Sequence, residues 1–155
     1  MSQVLFENFD DLVAAVSQTP LIDPLLDSGI YNLVVKSARK VPSTGRPGAF
    51  NYLLIIGSVD HPEATDMFEY LPIPTGADEP KAKHFMLQKM AQFCAASHLP
   101  VTAFKGVTDS GGDEQLVGVT FPAKVGRQEA QTDEATGKTY KPKNVIEEYI
   151  FSTQS

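Results

Sequence analysis

The sequence has no tryptophan, a single cysteine (Cys94) and three histidines, and its apolar runs, such as Leu53 to Ile56, are short. One thiol excludes an internal disulfide and any zinc site built on several cysteines, and it suits a reducing compartment. Such runs fall far below the roughly 20 residues of a membrane span, and no basic stretch followed by an apolar one opens the chain. The expectation is a protein neither exported nor embedded, working in the cytoplasm. Positive charge is scarce too: 13 Lys and Arg stand against 19 Asp and Glu, a net charge of −6. As a mean, that argues against a polyanionic partner, because phosphate binding needs positive surface where contact occurs.

The distribution of charge changes that inference. Residues 1–27 carry Glu7, Asp10, Asp11, Asp23 and Asp27 with no base, and residues 60–80 carry Asp60, Glu63, Asp66, Glu69, Asp78 and Glu79, again with none. Between them, residues 28–59 hold Lys36, Arg39, Lys40 and Arg46 without a carboxylate, and residues 135–146 hold Lys138, Lys141 and Lys143 without one. Single runs of this kind are ordinarily solvated loops; two of them meeting in space would make a phosphate-binding surface. With 42% hydrophobic residues, 9 Phe, 5 Tyr, 11 Gly and 11 Pro in 155 residues, the composition is that of one folded, turn-rich domain.

Phe9, Leu12, Val13 and Val16 recur at helical spacing behind Asn8, and Pro20 and Pro24 end the pattern, which predicts a short N-terminal helix and an extended lead-in. Tyr31 to Ala38 alternates as a half-buried first strand. The Pro- and Gly-rich stretch Val41 to Ala49 is a loop, Phe50 to Gly57 a central second strand, and Met67 to Ile73 a third. Pro80 suits the first position of a helix along which Met86, Met90, Phe93, Cys94 and Ser97 form an apolar stripe, closed by Pro100. Leu116 to Val125 reads as a fourth strand with a bend at Gly118 or Pro122. Gln128 to Lys138 reads as a hairpin tip and Tyr140 to Phe151 as a fifth strand, although Asn144 to Tyr149 also admits a helix.

Three strands, a helix and two strands is the element order of an OB-fold, a five-stranded barrel. The fold class expected is therefore mainly β with helices: an OB-fold-like five-stranded barrel, with a helix between strands 3 and 4 and a short N-terminal helix. Residues 1–27 form the lead-in and residues 28–155 the domain. Such barrels bind oligonucleotides or oligosaccharides through strands 2 and 3 and the loops between strands 1 and 2 and between 4 and 5. Both basic runs fall at those loops.

Catalytic patterns are weak by comparison. Gly137-Lys138-Thr139 lacks the earlier glycine of a phosphate loop, since Thr132 stands there. His61 with Asp60, Glu63 and Asp66 matches no metal motif, and Cys94 falls on the apolar stripe of the helix. No nucleophile elbow occurs. The expectation is a non-enzyme without cofactor or metal.

Phe50 with Tyr52, and Phe68 with Tyr70, are each two apart on a strand, so each pair can present rings to one side of a sheet on which bases stack. Tyr52 and Tyr70 are the preferred stackers because a phenol tolerates water. Phosphate contacts are assigned to Lys36, Arg39, Lys40, Arg46, Lys124, Arg127, Lys138, Lys141 and Lys143, and stacking to Tyr52 and Tyr70, with Phe50 and Tyr140 as further rings.

Gly29-Ile30-Tyr31, Ser43-Thr44-Gly45, Tyr52-Leu53-Leu54, Phe68 to Leu71, Leu87 through Phe93 to Ala96, Leu116-Val117-Gly118, Ala123-Lys124-Val125, and Asn144-Val145 followed by Tyr149 together carry a resemblance over residues 28–150. The chain resembles a family of phage-encoded proteins, many known only as a domain of unknown function among replication and recombination genes, similar to OB-fold single-stranded DNA-binding proteins. The resemblance implies sequence-tolerant coating of single-stranded DNA during phage replication or recombination, in the host cytoplasm, without a cofactor. It leaves open replication or recombination proteins and a second copy of the chain as further partners. The stretch Glu147 to Ser155 departs from the acidic tail by which many such binders recruit partners. The rival reading is a protein-interaction module, a recombination mediator or assembly subunit on the same barrel, working through the acidic residues 1–27.

Overall fold

Strand β1, Gly29–Pro42, is long enough to serve two neighbours and organises the sheet. Its first part, Gly29 to Val34, pairs antiparallel with β4 (Thr120–Gln128), and from Leu33 to Pro42 it pairs with β2 (Phe50–Ser58). A β-bulge between Val35 and Ser37 bends the strand where it passes from one partner to the other, which is what a bulge does to a curling sheet. β2 pairs in turn with β3 (Met67–Pro72), and β4 with β7 (Lys143–Tyr149). The result is a five-stranded antiparallel sheet of order β3-β2-β1-β4-β7. The computed structural model describes residues 8–18, 25–129 and 131–151.

The sheet curls until its edge strands, β3 and β7, approach each other, but no backbone ladder joins them among the described residues. The barrel expected from the element order is therefore not closed; the sheet itself and its antiparallel pairing are as expected. Side chains bridge the gap. The Tyr149 hydroxyl of β7 donates to Glu69 of β3, and Glu69 also holds Lys89 at 3.0 Å. Helix α2, Pro80–Ser97, supplies that lysine and lays Phe93 into the core against Phe104, Phe121 and Tyr149, with ring centroids 5.3–5.9 Å apart. It is capped by His98, whose left-handed backbone (φ 57°) lets its own amide return to the Ala95 carbonyl and that of Leu99 to the Cys94 carbonyl.

Past Val34, β1 loses β4 as a neighbour, and the loop before β4 takes over its exposed edge. Val35 pairs with the backbone of Gly118 and Val119, the Ala38 amide donates to Asp113, and the Lys40 amide donates to the Thr108 carbonyl. This accounts for a departure from the expected fourth strand. Gly118 has φ 86°, so the chain turns from Glu114 to Gly118, Leu116 plugs the core from within that turn, and the ladder begins only at Thr120. Residues 131–140 form a small hairpin, β5 (Gln131–Thr132) with β6 (Thr139–Tyr140), and residues 143–149 are strand, not helix.

At the other end, Leu25 to Asp27 are pinned to the sheet. Asn144, buried, accepts from the Leu26 amide (2.8 Å) and donates to the carbonyls of Leu26 (2.9 Å) and Gly126 (3.2 Å). The N-terminal helix α1, Phe9–Gln18, forms as expected, with the Asn8 side chain accepting from the Asp11 amide at 2.9 Å. The remainder of the predicted lead-in, residues 1–7 and 19–24, lies outside the described residues. None of the described helices is long and apolar enough to cross a membrane.

Candidate nucleic-acid interface

Directly opposed residues in an antiparallel ladder share a face, so the register sorts the side chains of β1, β2 and β3 into two sets. The inner set holds Val35, Ala38, Leu54, Ile56, Met67 and Leu71, all buried. The outer set forms rows across the three strands: Ser37, Ile55, Phe68; Arg39, Leu53, Tyr70; and Val41, Asn51, Pro72. Phe68 and Tyr70 stand side by side on this outer face, 63% and 45% exposed. Arg39 is exposed in the same row as Tyr70, two strands away across the buried Leu53, so its strand lies roughly 10 Å from the ring's.

The other aromatic pair belongs to the inner parity. Tyr52, opposite Lys40, is half-buried with its ring 4.7 Å from that of Phe104, and burial raises its phenol above the ordinary range. Its ring is not laid open as a platform; Phe68, which the preference for tyrosines had passed over, is. Phe50 lies at the rim, 40% exposed, with the Lys40 ammonium 4.9 Å from its ring centroid, a cation–π contact at the start of the basic loop. Tyr140 is in β6, and its side chain lies outside the described part of the structure.

The cations divide into those that hold the fold and those that do not. Arg46 clamps the β1–β2 loop to the segment beyond β3: its guanidinium bonds Asp78 (3.0 Å), the carbonyls of Ile73 (3.1 Å) and Phe50 (3.2 Å), and Asn51 (3.4 Å). The Thr75 amide, aided by Arg46, holds the Asp78 carboxyl below the usual carboxylate range. Arg127 donates to the carbonyls of Leu26 (2.9 Å) and Leu25 (3.2 Å) and pairs with Asp27 (3.3 Å), tying the lead-in to β4. Lys36, at the bulge, crosses Gly57 to meet Asp66 at 2.7 Å. These three, assigned to phosphate from the sequence, are engaged within the molecule.

Arg39 borders a shallow hollow with Asp109 and Asp113 but forms no ion pair among the described residues. Lys124 faces outward from β4 opposite Glu148, with β1 and β2 between it and β3, and Lys138 is exposed on the β5–β6 hairpin. Lys141 and Lys143, both exposed, line a groove of about 540 Å³ with Leu25, Thr65, Asp66, Pro142 and Asn144. The second basic run thus meets the first here, through Asp66 and its partner Lys36, two residues before Phe68.

His61 touches the Tyr31 ring edge-on and approaches Glu63 at 3.5 Å; no group of three or more metal-binding side chains gathers among the described residues. The chain matches no protein-family model and no curated protein.

Proposed function

We propose that the chain is a sequence-tolerant binder of single-stranded DNA that works through the outer face of β2 and β3. The observation that carries this reading is the pair of exposed rings, Phe68 and Tyr70, lying between Arg39 on one side and the Lys141–Lys143 groove on the other. Rings of this kind stack bases without regard to sequence, at roughly 1–3 kcal/mol each, while flanking cations follow the backbone. The strand order and the near meeting of β3 with β7 support an OB-fold-type barrel of the partly open kind, closed at this seam by side chains. In line with the phage-encoded family that the sequence resembles, the role is to cover single strands during replication or recombination in the host cytoplasm, without catalysis or cofactor.

Fluorescence anisotropy of labelled oligo-dT and a matched duplex, at two salt concentrations, tests it. Single strands should bind and the duplex should not. Three cations, Arg39, Lys141 and Lys143, are available to phosphates beside this face, so the log–log salt slope should approach about −2, at about −0.7 per contact. Replacing Phe68 and Tyr70 together by Ala should weaken binding at least ~30-fold, from ~1 kcal/mol or more per ring. Both rings are exposed, so the fold should survive. Salt-independent affinity, or unchanged affinity in the double variant, overturns the reading.

A second reading, a protein-interaction module, is favoured by α1, whose apolar side chains are exposed. It predicts that removing residues 1–18, which spares the Leu25 to Asp27 segment pinned to the sheet, abolishes partner capture and leaves DNA binding intact.

A further inference from the structure

Helix α1 is amphipathic but covers nothing. Phe9, Leu12, Val13 and Val16 occupy one face at steps of three and four, yet they are 38–74% exposed, and the helix makes no contact with any other helix or strand among the described residues. A ten-residue helix is shorter than the roughly 12–15 residues at which isolated helices become even marginally stable in water. Among the described residues, nothing covers its apolar face.

The same chain carries a surface that fits. On the solvent side of α2, Leu87, Met90, Ala91 and Cys94 fall on one stripe and, with Val101 of the following turn, line an apolar groove of about 290 Å³. Leu87 and Val101 are 54% and 59% exposed. The charges match as well. α1 carries Asp10 and Asp11 and no base, whereas residues 80–108 carry Lys81, Lys83, Lys89 and Lys105 and no carboxylate. Of those lysines, Lys89 is held by Glu69. Lys83 lies one helical turn before Leu87, and Lys105 follows the short 3-10 turn that Val101 opens.

We propose that α1 of one molecule docks in the α2 groove of a second copy, and that reciprocal exchange of the two helices closes a two-fold dimer. Two short apolar stripes of helical period pack ridge into groove, and exchange makes two such contacts, which doubles the surface the dimer buries. The acidic first turn of α1 meets the carboxylate-free lysines of the partner. The DNA-binding reading is not required: the outer face of β2 and β3 uses neither surface.

Sedimentation equilibrium of the full chain at high micromolar concentration is the test. The expected mass is twice the 16.9 kDa of the chain. Val13→Asp in α1 and Ala91→Arg in the groove should each raise the dimer dissociation constant at least about tenfold, since each puts a charge into the apolar contact. Both positions are exposed in the single chain, so thermal unfolding of the dilute monomer should not change. Phe68→Ala should leave the dimer intact. A chain monomeric at every concentration overturns the proposal, and so does a dimer indifferent to either charged substitution.

Discussion

Tyr149→Phe isolates the contact that joins the two edges of the sheet. The ring is 5% exposed and packed against Phe93 and Phe121, and phenylalanine keeps that packing. What is lost is one buried hydrogen bond from the hydroxyl to the Glu69 carboxylate, whose other oxygen stays with Lys89. Hydrogen bonds to charged groups contribute about 1.5–3 kcal/mol. At about 2–4 °C per kcal/mol for a chain of this size, the melting temperature should fall by roughly 3–12 °C. Urea unfolding at neutral pH measures the loss directly, as a lower midpoint with an unchanged slope.

A second substitution makes the reasoning refutable. In a Glu69→Ala background the Tyr149 hydroxyl is left buried without its acceptor, so Tyr149→Phe should there be neutral or stabilising. The sign of one substitution then depends on a residue 80 positions away in sequence. An equal loss in both backgrounds would refute the clasp, and so would a loss below about 0.5 kcal/mol in the parent chain.

Tyr149 also predicts an alkaline limit. Burial above all, and then the charge and hydrogen bond of Glu69, hold its hydroxyl protonated far above the ordinary phenol range. A phenol with a raised folded-state pKa contributes its full stability below its unfolded value and loses it as pH rises beyond, so the urea midpoint should decline above about pH 10, less steeply in Tyr149→Phe. Gly112→Ala should cost about 3 kcal/mol or more or misfold the loop over β1, because φ is 81° and a Cβ would stand 1.7 Å from the Gly106 carbonyl oxygen. Gly111→Ala, in open space, should stay within about 0.5 kcal/mol on the same thermal melt. Asn144→Ala strips the Leu26 amide and the Gly126 carbonyl of their side-chain partner and should cost about 2–4 kcal/mol in urea.

Periodicity alone was enough for α2 and for the first three strands, because an apolar stripe or a simple alternation has one physical meaning there. It failed where both parities are apolar. Tyr52 shares a face with Leu54 and Ile56, but Leu53 and Ile55 on the opposite face are no less hydrophobic, so only the register decides which set is inside. On β3, Glu69 is the unexpected occupant of the inner face. It is the inner residue of that strand, a carboxylate made tolerable there by Tyr149 and Lys89, while Phe68 and Tyr70 beside it face outward as the expected stacking side of the strand. Gly118 was expected to mark a bend, but its left-handed backbone makes the bend a turn that moves the start of β4 to Thr120. The amphipathicity of α1 was legible from the start, but not the fact that its own domain leaves it uncovered.

The two kinds of cation follow a physical division that composition hides. Arg46 and Arg127 each bridge carbonyl groups and a carboxylate, a task for which a planar fork with several fixed donors is suited and an ammonium is not. They anchor loops, and a loop so anchored keeps its neighbouring lysines in place. Lys141 and Lys143, next to the Asn144 that pins the lead-in, are exposed on a stretch whose backbone is thus fixed. A chain of net charge −6 can then offer a polyanion a local positive surface, because arginines position that surface, lysines compose it, Asp10 and Asp11 lie on α1, and Asp66 and Asp78 beside β3 are paired with Lys36 and Arg46. On this account, Arg46→Lys should disturb the β1–β2 loop more than it weakens DNA binding, whereas Lys141→Gln should do the reverse. Proteolysis of the loop and anisotropy at low salt separate the two, and a lysine at position 46 that leaves the loop protected would show the fork to be unnecessary.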